Sequence, residues 1–135
     1  MAGIKQPKTC FVTGGMSGLG KALAAQYLQL GANVAIFDLE VKQDVLRELE
    51  DHRQNVGQTI VAYEASVTDM EALISAVEQA LAVIGTPQLA INCAGIQRAQ
   101  PFGELPRDDF EMAVQVNLFG SRNFAAAVLP HMGEG

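Results

Sequence analysis

Two hydrophobic patterns alternate along the chain. Short, almost continuous apolar runs occupy residues 9–13 (TCFVT), 33–38 (NVAIFD), 59–64 (TIVAYE) and 89–93 (LAINC). Runs of this length rich in Val, Ile and Phe read as strands buried on both faces. Between them, apolar residues recur every three or four positions. Residues 17–30 carry Leu19, Leu23, Tyr27 and Leu30 at helical spacing, with Gly31 placed as a stop signal. Residues 41–55 read as a charged, exposed helix that ends near Gly57. Thr68 and Glu71 form a capping-box pattern ahead of a strongly amphipathic helix bearing Met70, Leu73, Ile74, Val77, Leu81 and Ile84, which Gly85, Thr86 and Pro87 terminate. A last helix is predicted over residues 107–132. It carries one stripe of Phe110, Val114 and Leu118 and a second of Met112, Val116 and Phe119, so both of its sides call for cover.

Strand–helix alternation with apolar strands predicts a parallel sheet covered on both faces. The expected fold class is α/β, a Rossmann-type doubly wound parallel sheet that is partial, with strand order 3-2-1-4 and flanking helices. Residues 1–135 form one domain in this reading, with no internal repeat or linker. The strand at 89–93 then lies at an edge without Lys or Pro to protect it.

Composition narrows the function classes. The net charge of −6 opposes binding to a nucleic-acid backbone. No basic amphipathic segment or long apolar span suggests a membrane, and the start MAGIKQPKT lacks the apolar core of a signal peptide, so the default location is cytoplasmic. Cys10 and Cys93, each inside a strand run, read as buried inert thiols. With two Cys and two His and no close pairing, no metal site is expected; His52 and His131 read as surface residues.

The candidate chemistry lies in the string TGGMSGLG, residues 13–20, between the first strand and the first helix. Gly14, Gly18 and Gly20 divide three tasks: a tight turn out of the strand, close approach of backbone N–H groups to phosphate, and close packing of helix on sheet. The helix N-terminus adds unpaired donors and partial positive charge, which suits a pyrophosphate. Asp38 ends the second strand, where a carboxylate accepts hydrogen bonds from both ribose hydroxyls of an adenosine and repels a 2′-phosphate. No Arg or Lys occurs at Met16, Ser17, Leu39 or Glu40 to offset that repulsion, so NAD is the expected cofactor in preference to NADP.

With these residues in place, the chain resembles the short-chain dehydrogenase/reductase family, in its NAD-dependent branch. The family's TGxxxGxG pattern is met by Thr13, Gly14, Gly18 and Gly20, its NNAG motif resembles Asn92-Cys93-Ala94-Gly95, and its active-site Asn is matched by Asn117 in VNLFG. The resemblance implies cofactor contacts at Thr13, Gly14, Ser17, Gly18, Leu19, Gly20, Asp38, Ser66, Val67, Asn92, Ala94 and Gly95, and a catalytic-type role for Asn117 as a relay point. Asn117 counts in register with Ala113, Val114 and Leu118, which predicts a buried amide. Two departures stand out: Ser66 replaces an adenine-contacting Asp, and Cys93 replaces an Asn.

The family's catalytic Ser and Tyr-x-x-x-Lys have no match. The only tyrosines, Tyr27 and Tyr63, are followed four residues on by Gly31 and Val67. The resemblance therefore implies the NAD-binding part of an enzyme that moves a hydride between NAD and a secondary alcohol or ketone, truncated before its proton-transfer residues. It further implies a small-molecule alcohol or ketone substrate for the full-length form and homo-oligomers formed through the last helix. A non-catalytic dinucleotide-binding or interaction module remains open. A different Rossmann ligand, such as the nucleoside of a methyl donor, fits the loop spacing less well.

Overall fold

The computed structural model describes residues 5–133; the first four residues of the N-terminal segment read above lie outside the described residues. The elements follow in the order β1 (Thr9–Thr13), α1 (Gly18–Gln29), β2 (Asn33–Asp38), α2 (Gln43–Glu50), β3 (Ile60–Glu64), α3 (Met70–Ile84), β4 (Leu89–Asn92), α4 (Arg107–Val114) and α5 (Gly120–Val128). All pairings are parallel and the sheet order is β3-β2-β1-β4, as the strand pattern predicts.

The pleat decides which layer each strand residue joins. Cys10 and Val12 of β1, with Val34 and Ile36 of β2, face a cluster that includes Ala24 and Leu28 of α1 and Leu49 of α2. Phe11, Ala35 and Phe37 face the opposite cluster, made with Leu73, Val77 and Ala80 of α3 and Phe124 and Val128 of α5. Phe37 centres an aromatic group, 5.4 Å from Phe11, 6.1 Å from Tyr63 and 6.0 Å from Phe124 between ring centroids. β4 is only half-buried at Leu89, Ala90 and Ile91, consistent with an edge in the described sheet.

Several local expectations are corrected. The buried face of α1 is Gly20, Ala24 and Leu28, whereas Leu19 is 69% exposed. Small residues set that face because the helix lies close to the sheet. α2 is shorter than the charged run that suggested it. The cap of α3 is Asp69, whose Oδ1 accepts from Ala72 N at 3.0 Å, in place of Thr68; a carboxylate next to the first helical residue outcompetes the hydroxyl one position earlier. The last helix is interrupted. Between α4 and α5, residues Gln115–Phe119 form a π turn, in which Gly120 N–H bonds back to Gln115 O. A short 3₁₀ turn, Leu129–His131, follows α5. No described helix is long and apolar enough to cross a membrane.

Candidate functional site

The C-terminal ends of the four strands open into one cleft of about 820 Å³, within the range of sites that hold small ligands and cofactors. Its floor is Gly14 with Ser17, Gly18, Leu19 and Gly20. One side is built from Phe37, Asp38 and Leu39 after β2 and from Ala65, Ser66, Val67 and Thr68 after β3. The other side is Asn92, Cys93, Ala94, Gly95, Ile96 and Arg98, closed off by Met112 and Val116 of the long helix.

The glycine loop is held by its neighbours. Gly14 N donates to Phe37 O at 2.9 Å, and Met16 N donates to Asp38 Oδ2 at 2.9 Å. Gly18 has φ +52° with nothing within 4 Å of a would-be Cβ, so it turns the chain into α1 and leaves open space on that side. At Gly20 a Cβ would overlap the carbonyl oxygen of Gly14; this is the close helix–strand approach that the spacing predicts. The first turn of α1 carries no acidic side chain, and Ser17 makes no side-chain cap bond. The positive end of that helix is thus left to the cleft, an arrangement suited to an anion.

Asp38 accepts from two backbone groups, Met16 N on Oδ2 and Leu39 N at 2.8 Å on Oδ1. The carboxylate is therefore fixed in place, with lone pairs left over for further donors. Ser66 Oγ is engaged by its own turn, 2.7 Å from Thr68 Oγ1 and 3.2 Å from Thr68 N.

Of the expected cofactor residues, the structure brings Gly14, Ser17, Gly18, Leu19, Gly20, Asp38, Ser66, Val67, Asn92, Ala94 and Gly95 to the cleft wall. Thr13 is a correction. It is fully buried and does not line the cleft; its hydroxyl donates to Asn92 Oδ1 at 2.6 Å and accepts from Ala94 N at 3.1 Å, behind the wall. Asn117 is a second correction, exposed where a buried amide was expected. The π turn shifts the register on which that expectation rested. Asn117 clamps the backbone of Ile96, accepting from Ile96 N and donating to Ile96 O, both at 2.8 Å. A third is Cys93, which is half-buried in the cleft wall while Cys10 is fully buried. Burial raises the Cys93 thiol pKa, and burial followed by the neighbouring Cys93 pushes Cys10 up to about 12, so both stay protonated near neutrality.

The sequence reading did not name Phe37, Leu39, Ala65, Thr68, Ile96, Met112 and Val116 as site residues, and reached Arg98 only as part of the loop Gln97–Leu105 at the border of the site. Met112 and Val116 were legible as an apolar stripe without a partner; the structure turns them toward the cleft. Nothing in the spacing marked Arg98, whose Nε is 3.3 Å from Asp109 Oδ1. Neither tyrosine lines the cleft: Tyr63 stacks on Phe37 and its hydroxyl pKa is raised by burial, while Tyr27 packs on the α1 side of the sheet. Among the described residues no group of three His, Cys, Asp or Glu could hold a metal.

Residues 8–135 match a family profile described as short chain dehydrogenase. The short chain dehydrogenase/reductase dpchG of Colletotrichum higginsianum is 36% identical over 114 residues, covering 82% of this chain and 41% of its own. Two solved structures are similar. The apo form of LigD from a Sphingobium strain has a TM-score of 0.83 at 31% identity over 93% of this chain and 53% of its own. NAD⁺-bound xylitol dehydrogenase has a TM-score of 0.80 at 29% identity over 92% and 47%. The chain spans about half the length of the relatives it matches.

Proposed function

Because this chain belongs to the short-chain dehydrogenase family, we propose that its cleft binds NAD and that residues 1–135 are the nucleotide-binding domain of an oxidoreductase acting on a secondary alcohol or ketone. The observation that carries the cofactor reading is Asp38. Its carboxylate lies at the end of β2, is fixed by two backbone N–H groups, and faces the cleft beside the open end of α1. A 2′-phosphate would meet that fixed negative charge, whereas a ribose diol would donate to it. Arg98 is the single cation on the described wall, and it is paired with Asp109. The NAD⁺ printed with the similar xylitol dehydrogenase supports the same choice.

The residues fit the group. Gly18 and the first turn of α1 would take the pyrophosphate, Asp38 the adenosine ribose, Ser66 and Val67 the adenine side, and Asn92, Ala94 and Gly95 the nicotinamide side. When bound, NAD supplies the hydride chemistry. The chain's own part is to orient the cofactor: Asn92 is held by Thr13, and Asn117 fixes Ile96, at the end of the cleft lined by Met112 and Val116. The proton-transfer acid comes from outside residues 1–135, since neither Tyr27 nor Tyr63 lines the cleft. That same fact favours a second reading, a dinucleotide-binding module without turnover of its own.

The test is calorimetric titration of the purified chain with NADH and with NADPH. Tighter binding of NADH by about tenfold or more is expected; equal affinities, or no binding of either, refute the assignment.

A further inference from the structure

A single line of hydrogen bonds runs from the glycine loop to the long helix. It starts after β4, where Cys93 N and Ala94 N donate to Thr13 Oγ1 at 3.2 and 3.1 Å. Thr13 Oγ1 donates its one proton to Asn92 Oδ1 at 2.6 Å. Asn92 Nδ2 donates to Ser121 Oγ at 2.8 Å, and Ser121 Oγ donates to the backbone carbonyl of Asn117 at 2.6 Å. The direction of the line is forced. Thr13 Oγ1 already accepts two N–H groups, so it must present its proton to Asn92, and the amide oxygen of Asn92 must face Thr13. The amide nitrogen of Asn92 must then face Ser121, whose only proton goes on to Asn117.

Ser121 is the joint of this line. It does not line the cleft, and neither does Asn117, yet Asn92 and Ile96 both do. Its bond to a carbonyl four residues back is the kind that bends a helix, and here it runs from two residues past the π turn to a carbonyl within it. Asn117 in turn brackets Ile96 through both backbone groups of that residue. We propose that Ser121 is a positioning residue: its hydroxyl ties the cleft-lining Asn92 to the backbone of Asn117, so that the two asparagines and the Ile96 wall move as one unit. The proposal rests on the reading of the cleft as a dinucleotide site. It assigns the coupling between Asn92 and the π turn to one side chain.

The experiment follows the side-chain amide resonances of Asn92 and Asn117 in the chain, without ligand and during titration with NADH. In the wild type, NADH shifts the Asn117 amide even though Asn117 lies off the cleft wall. Ser121→Ala reduces that response to what reaches Asn117 through Ile96, and weakens NADH binding by roughly 3- to 10-fold, the range for one lost internal hydrogen bond. Ser121→Thr keeps a hydroxyl that can return to the same carbonyl, and restores both. Asn92→Ala breaks the line on its other side with Ser121 intact, and produces the same reduced Asn117 response should Ser121→Ala fail to fold. An Asn117 response that persists undiminished in either alanine variant overturns the proposal. If the wild type does not bind NADH, the nucleotide reading fails separately. The unliganded spectra then decide the joint: Ser121→Ala must displace both amides together, and two unmoved amides overturn it.

Discussion

Gly20→Ala places the helix propensity of alanine in direct conflict with tertiary packing. In an isolated helix the change is favourable by about 0.8–1 kcal/mol. Here the new Cβ would overlap Gly14 O, stand 2.7 Å from Gly14 C and 3.1 Å from Cys93 Cβ. Two of these neighbours are backbone atoms. Gly14 cannot retreat, because its own Cβ position already lies 2.8–2.9 Å from the backbone of Cys93 and Ala94. The N-terminus of α1 must lift, and its buried face of Gly20, Ala24 and Leu28 must lift with it. Overpacking costs about 1–3 kcal/mol where neighbours can adjust, and the upper end applies where backbone meets backbone. After subtracting the propensity gain, net destabilisation of about 2 kcal/mol is expected. The same displacement moves the helix end proposed to receive the pyrophosphate, so NADH affinity is expected to fall by about tenfold or more. Urea unfolding followed by circular dichroism, with NADH titration of the same samples, measures both. Gly57→Ala is the control, since its nearest foreign atom is Asn55 Oδ1 at 3.5 Å. A Gly20→Ala chain that is as stable as the wild type and binds NADH equally well would refute the reasoning.

Asp38→Asn leaves one acceptor oxygen to serve Met16 N and Leu39 N, and turns an amide donor toward one of them; titration should show NADH weakened and the margin over NADPH narrowed by about 1–2 kcal/mol. Cys10 has its folded pKa raised from 9.0 to about 12, so its contribution to stability is complete below pH 9 and is lost as pH rises toward 12, at up to about 1.4 kcal/mol per pH unit. Urea midpoints between pH 8 and 11 check this, and Cys10→Ala should flatten that part of the profile. Phe110, Met112, Leu118 and Phe119 are 48–63% exposed on the long helix, an apolar area expected to drive self-association; sedimentation at micromolar concentration should show oligomers of the wild type and a shift toward monomer for Phe110→Glu with Leu118→Glu. Steady NADH formation from a secondary alcohol by residues 1–135 alone should be absent by spectrophotometry, because neither tyrosine lines the cleft to provide general acid–base catalysis worth about 10²–10⁴-fold.

The apolar runs and their spacing were sufficient to determine the strands and their parallel arrangement, because a strand apolar on both faces can only lie between two helical layers; the strand order followed from the doubly wound Rossmann pattern. The glycine spacing and Asp38 were legible for the same kind of reason: tight turns, close approach and charge are local demands that particular residue types meet. What lay beyond the sequence was how separate elements compete for the same space and the same hydrogen bonds. Thr13 carries the family pattern, yet the structure uses its hydroxyl to hold Asn92, behind the wall it was expected to form. α1 buries Gly20 and Ala24 where its first turns meet the sheet, and leaves Leu19 exposed, because a Cβ at Gly20 would already overlap Gly14 O. The π turn at Gln115–Phe119 has no signature in a periodicity of 3.6, and it alone decides that Asn117 faces Ile96. Met112 and Val116 showed that they needed cover, but only the folded chain, by bringing the segment after β4 near the long helix, placed them in the cleft wall.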